Sequence, residues 1–222
     1  MAEAITTAIS KPLPVSFSGD ATPTPFTVCV FCGARPGTSP EYIASAVSLA
    51  KVLHANSWSL VYGGGTVGLM GALANTLVKL GGSVHGIVPT ALVAYEQGGS
   101  IPPESEFGKT TVVPDMHVRK SMMGKEANAF VALPGGFGTM EELFEVVTWN
   151  QLGIHACPIV VLNVEGFYDG LLLWVKSAVE AGFIRSDAQG ILVEAKTPEE
   201  VAVKIREYKV AAGRMDLDWG NQ

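Results

Sequence analysis

At 222 residues with 48% hydrophobic side chains, the chain is long enough for one α/β domain around a single sizeable core. A net charge of −6 and a pI near 5.2 exclude a non-specific nucleic-acid binder, because neutralising a phosphate backbone needs clustered Lys and Arg. No apolar run reaches the length of a membrane span, and the first residues lack the basic start and apolar core of a leader, so a cytoplasmic protein is expected.

Residues 1–25, rich in Ala, Thr, Ser and Pro, suit a flexible tail ahead of a domain at 26–213, with 214–222 as a second tail. Thr27–Cys32 reads as the first strand, followed by the turn Gly33–Gly37 and a helix capped by Ser39 that runs through Ile43, Val47, Ala50 and Leu53. Trp58–Tyr62 is the next strand, and Gly63–Gly68 turns the chain into a helix from about Val67 to Leu80. Val84–Val88 is a third strand, and Pro89 to Lys109 reads as a long loop of the functional or mobile kind. Thr110–Val113 is a short strand, and Asp115 can cap a helix through about Asn128. Ala129–Leu133 is a buried strand that opens a glycine turn, with a helix from Thr139 to Leu152 beyond it. Strand Pro158–Leu162, helix Tyr168–Ala181, strand Ile191–Glu194 and a capped helix Thr197–Ala212 complete the order. Such alternation predicts a Rossmann-like, doubly wound parallel sheet, whose ligands bind outside the carboxyl ends of the strands.

Three glycine turns follow three strands there. Gly63-Gly64-Gly65-Thr66-Val67-Gly68 matches GxGxxG in form, but no carboxylate closes a strand about twenty residues on to hold a ribose hydroxyl. The run Pro134-Gly135-Gly136-Phe137-Gly138-Thr139-Met140-Glu141-Glu142 lacks the Gly-Lys-Ser/Thr of a P-loop, so ATP hydrolysis is not expected. Its glycines still let the backbone approach an anion, and the helix start behind them supplies free N–H groups and a favourable dipole. Glu141 and Glu142 in that first turn suit either a helix-dipole partner or a reacting acid. On the preceding helix Met116, Arg119 and Met123 recur on one side, and Arg119 offers a fork of donors suited to phosphate or a ribose oxygen. Glu142, Glu145 and Trp149 likewise share a side.

Cys29 and Cys32 have CxxC spacing, but within a strand an odd separation sends them to opposite faces, so buried thiols are expected rather than zinc or redox use. The odd count completed by Cys157 argues against a disulfide framework, and His54, His85, His117 and His155 show no metal-ligand spacing.

Pro-Gly-Gly-x-Gly-Thr-x-x-Glu at 134–142 with Met116-His117-x-Arg119-Lys120 upstream resembles the LONELY GUY (LOG) family, the cytokinin riboside 5′-monophosphate phosphoribohydrolases. Val30–Gly33, Tyr62–Gly71 and Thr148–Gly153 extend the likeness over about residues 27–182. The resemblance implies a homodimer that removes ribose 5-phosphate from N6-substituted adenosine monophosphates and from AMP, with no organic cofactor and no metal. It also implies Arg119 and Glu142 as the catalytic pair. Substrate-binding positions it implies, or that border the same turns, are Glu96, Lys120, Gly135, Gly136, Phe137, Gly138, Thr139, Met140, Glu141, Thr148, Met116, Gly33 and Gly64. A non-catalytic module that binds a nucleotide or a phosphorylated cofactor on the same cradle is the alternative.

Overall fold

The computed structural model describes residues 25–96 and 99–219. Seven parallel strands form one sheet: β1 (Thr27–Phe31), β2 (Ser59–Tyr62), β3 (Val84–Pro89), β4 (Lys109–Val113), β5 (Ala129–Ala132), β6 (Ile159–Leu162) and β7 (Leu192–Ala195). Their order is β4-β3-β2-β1-β5-β6-β7, so the winding reverses between β1 and β5. The helices are α1 (Pro40–Ala55), α2 (Gly68–Lys79), α3 (Thr90–Glu96), α4 (Glu104–Phe107), α5 (Met116–Glu126), α6 (Phe137–Gln151), α7 (Asp169–Glu180) and α8 (Pro198–Glu207).

Central strands read as unbroken apolar runs because both sheet faces are covered. Val28, Val30 and Cys32 pack with Leu49, Leu73 and Val201 of α1, α2 and α8, whereas Cys29 and Phe31 pack with Met123, Leu143 and Val146 of α5 and α6. The two cysteines of the CxxC therefore lie in opposite cores, free and buried, as the strand period requires. Helix starts follow the expected caps: the Ser39 hydroxyl accepts from Glu41 N at 3.2 Å, Asp115 Oδ1 from Val118 N at 2.8 Å, and the Thr197 hydroxyl from Glu200 N at 3.2 Å.

Several boundaries differ from the sequence expectation, three of them for a visible physical reason. The connection expected as loop from Pro89 to Lys109 holds α3 and α4, which at 7 and 4 residues are too short to show a helical period. Helix α6 begins at Phe137 rather than Thr139, because Gly136 takes the cap position and leaves Phe137 and Gly138 inside the first turn. Helix α8 ends at Glu207 rather than Ala212, since Tyr208 turns to an extended backbone and its hydroxyl accepts from Asn150 Nδ2 at 3.4 Å.

The chain after Gly213 lies along the end of α6. The last carbonyls of any helix lack partners within it. Here Arg214 Nε donates to Asn150 O at 2.8 Å, Met215 N to Gln151 O at 2.7 Å and Trp219 Nε1 to Leu152 O at 3.0 Å. Arg214 also donates to His155 O at 2.6 Å, and its cation faces the negative end of the α6 dipole. Arg214→Ala is expected to lower stability by about 1–2 kcal/mol. Urea unfolding will measure that shift, and an unchanged midpoint would remove the capping role.

Among the described residues no helix is long and apolar enough to cross a membrane, and no group of three or more His, Cys, Asp or Glu side chains is placed to hold a metal ion.

Candidate functional site

Reversal of the winding leaves a crevice beyond β1 and β5, and the glycine turns close around it. Gly33 N donates to Pro134 O at 3.0 Å and Leu69 N donates to Gly33 O at 3.0 Å, so the turn after β1 is tied to those after β5 and β2. Gly68, at φ +60°, brings its Cα against the Ala34–Arg35 backbone where a side chain would collide. These contacts fix the walls of a cavity of about 620 Å³, lined among others by Gly33, Arg35, Gly135, Thr139, Arg119 and Glu142. Its size falls in the range of about 300–1,000 Å³ usual for small-molecule sites.

Helix α6 points its start into this cavity. Gly136 brings no capping side chain, so the first N–H groups of the helix are left for a ligand. One and a half turns further on, Glu142 enters from the same helix and meets Arg119 of α5, with Oε1 3.2 Å from Arg119 Nη2 and both side chains 9% exposed. The approach lacks hydrogen-bond alignment, and Glu142 Oε1 has no hydrogen-bond partner among the described residues. A buried carboxylate oxygen left in this state is costly unless a ligand or water completes it. Burial pushes the Glu142 carboxyl above the usual carboxylate range, and the Arg119 cation opposes that rise without cancelling it.

The Arg119 guanidinium is held by groups of the protein along the cavity wall. Nε donates to Ile87 O at 3.2 Å, Nη1 reaches Met116 Sδ at 3.6 Å, and Nη2 faces Glu142. Gly63 lies directly under this group, and a Cβ there would strike Nη2.

Positions singled out from the sequence divide into two groups. Gly33, Met116, Arg119, Gly135, Gly136, Gly138, Thr139, Glu141 and Glu142 line the cavity. Lys120 does not: it turns away from Arg119 and pairs with Glu141 at 2.5 Å and Glu145 at 3.0 Å. Glu142, Glu145 and Trp149 do share a side, meeting Lys120 and Met123 across a narrow gap. Met140 and Thr148 face an outer groove of α6 with Glu141, Phe144, Trp149 and Trp219. Phe137 is exposed at 97%, and Gly64 sits behind the cavity against Val88. Glu96 ends α3, and its side chain lies outside the described residues. Of the histidines, His117 is exposed on α5, while His85 bridges Glu126 at 2.8 Å and Thr111 at 2.7 Å.

The structure adds Arg35, Tyr42, Met70, Leu92 and Phe167 to the walls. Of these only Arg35 had a visible sign in the sequence, as a cation inside a glycine turn that follows a strand.

Together the parallel sheet, its switch point and the cavity beyond it define a Rossmann-like α/β protein with a cavity of small-molecule size at the carboxyl edge. A family model described as "possible lysine decarboxylase" matches residues 70–205. The chain is 45% identical over 181 residues to the cytokinin riboside 5′-monophosphate phosphoribohydrolase LOG3 of Arabidopsis thaliana, covering 82% of each. It is 46% identical over 219 residues to the bifunctional cytokinin biosynthesis protein of Fusarium pseudograminearum, covering 92% of this chain and 45% of that protein. The molybdenum cofactor carrier protein of Chlamydomonas reinhardtii shares the fold, with a TM-score of 0.62 at 17% identity over 83% of this chain and 98% of the other. The chain belongs to the LOG family.

Proposed function

We propose that the protein hydrolyses the N-glycosidic bond of N6-substituted adenosine 5′-monophosphates, and of AMP, releasing the free base and ribose 5-phosphate. The observation that carries this reading is Glu142 Oε1, buried without a hydrogen bond beside a glycine cradle that is open to an anion. Relatives named for this activity support it.

Cleavage of C1′–N9 develops positive charge on the ribose and negative charge on the base. The Glu142 carboxylate stabilises the ribose cation and takes a proton from the attacking water, whose oxygen bonds to C1′ as the C1′–N9 electron pair leaves with the base. That proton then passes to the departing base or to solvent. Free N–H groups at the start of α6 hold the phosphate, so the sugar is positioned over the acid. Arg119 acts through Glu142, keeping it ionised and aimed.

Incubation with AMP and isopentenyladenosine monophosphate, with free base and free phosphate both measured, tests the reading. Release of base with ribose 5-phosphate is the expected result. Nucleotide bound and recovered intact would favour the binding-module alternative, and release of inorganic phosphate would mark a phosphatase. As partners and location we propose a second copy of the chain and the cytoplasm. Phe144, Trp149 and Leu152 on the outer face of α6 suit such pairing, whereas Val146 belongs to the core. Light scattering on the purified protein will give its mass in solution.

A further inference from the structure

Among the described residues, four charged side chains line the cavity: Arg35, Arg119, Glu141 and Glu142. Three of them are committed inside the protein. Arg119 faces Glu142, and Glu141 pairs with Lys120, which lies outside the cavity and also holds Glu145. Without Arg35 the walls would carry two carboxylates against one cation, a poor receptor for a dianionic phosphate ester. Arg35 is exposed at the rim and has no hydrogen-bond or ion-pair partner among the described residues.

Its backbone, by contrast, is fixed from three sides. Gly33 N is bonded to Pro134 O, the Ala34–Arg35 peptide packs on Gly68, and Gly37 lies against the Tyr42 ring. A rigid turn therefore carries an unpaired guanidinium on the wall of the cavity that the start of α6 also lines.

We propose that Arg35 is the cation that recognises the 5′-phosphate of the substrate, and that it sets the preference for nucleotides over nucleosides. This rests on the hydrolase reading given above and deepens it. Arg35 forks onto the phosphate oxygens from the rim while the α6 N–H groups hold them from below. Being distant in role from the bond that breaks, it contributes to holding the substrate equally before and during reaction, so its loss raises KM rather than lowering kcat.

The test is steady-state kinetics of base release from AMP and adenosine for the wild type, Arg35→Ala and Arg35→Lys, with ribose 5-phosphate as inhibitor. Arg35→Ala is expected to raise KM for AMP and the inhibition constant of ribose 5-phosphate by about ten- to thirtyfold, with kcat changed less than about twofold. The preference for AMP over adenosine shrinks by the same factor. Arg35→Lys, which keeps the charge, recovers part of the loss. An unchanged KM and inhibition constant, a fall in kcat alone, or no recovery with lysine would each overturn the assignment. Should the wild type release no base at all, the hydrolase reading fails on its own, and calorimetric titration with AMP still decides Arg35: weakened binding to the alanine variant supports it, equal binding refutes it.

Discussion

Glu142→Gln should cut base release by about 10²–10⁴-fold while the protein folds normally and still binds AMP. The amide keeps the shape of the acid but can neither balance the ribose cation nor accept a proton from water. Stability should move the other way. The carboxyl of Glu142 is raised in the folded state because burial outweighs the attraction of Arg119, so the folded protein holds that proton more tightly than the unfolded chain does. Its contribution to stability is full below the unfolded pKa and is lost as the pH climbs through the raised folded value. At neutral pH the ionised side chain is thus a cost, and glutamine, which resembles the protonated acid, removes it. Chromatography of the base and urea midpoints at acidic and neutral pH measure the two effects. Wild-type turnover in the variant would take Glu142 out of the chemistry, and a variant that loses stability at neutral pH would contradict the account of its burial.

Much of this arrangement was legible in the sequence, for identifiable reasons. Strands buried on both faces leave continuous apolar runs, so β1, β2, β5 and β6 stood out, and the glycine turns after β1, β2 and β5 marked the crevice. The helical period put Met116, Arg119 and Met123 on one side and Glu142, Glu145 and Trp149 on another, and both groupings recur in space. What the period could not give is the partner across the interface. Lys120 follows Arg119 directly, and a step of about 100° around the helix sends it to the outer carboxylates while its neighbour reaches the inner one. Arg35 became distinctive only when the structure paired Arg119 with Glu142 and Lys120 with Glu141 and Glu145. The chain after Gly213 has no periodicity to read, because its contacts run from donors to the backbone carbonyls of α6, and carbonyl positions leave no trace in residue identity.

Arg119→Ala is the second large effect, and it separates two roles for this residue by pH. If the guanidinium serves to keep Glu142 ionised, its removal takes away the larger of the two cationic influences that lower the Glu142 pKa and leaves burial opposed by Lys120 alone. The carboxyl then titrates higher still, and the ascending limb of kcat against pH, which follows ionisation of Glu142, moves toward alkaline values. Activity at neutral pH falls by about 10²-fold or more and recovers in part as the pH rises. The stability of the same variant runs against its activity: with its nearest cation gone, the buried carboxylate is better tolerated when protonated, so the unfolding midpoint climbs as the pH falls. Arg119→Lys, retaining a charge without the contacts to Ile87 O and Met116 Sδ, should place the limb between the two. Rate profiles and urea midpoints across the same pH series provide the measurement. A limb that stays in place while activity drops would mean that Arg119 acts on the substrate directly rather than through Glu142.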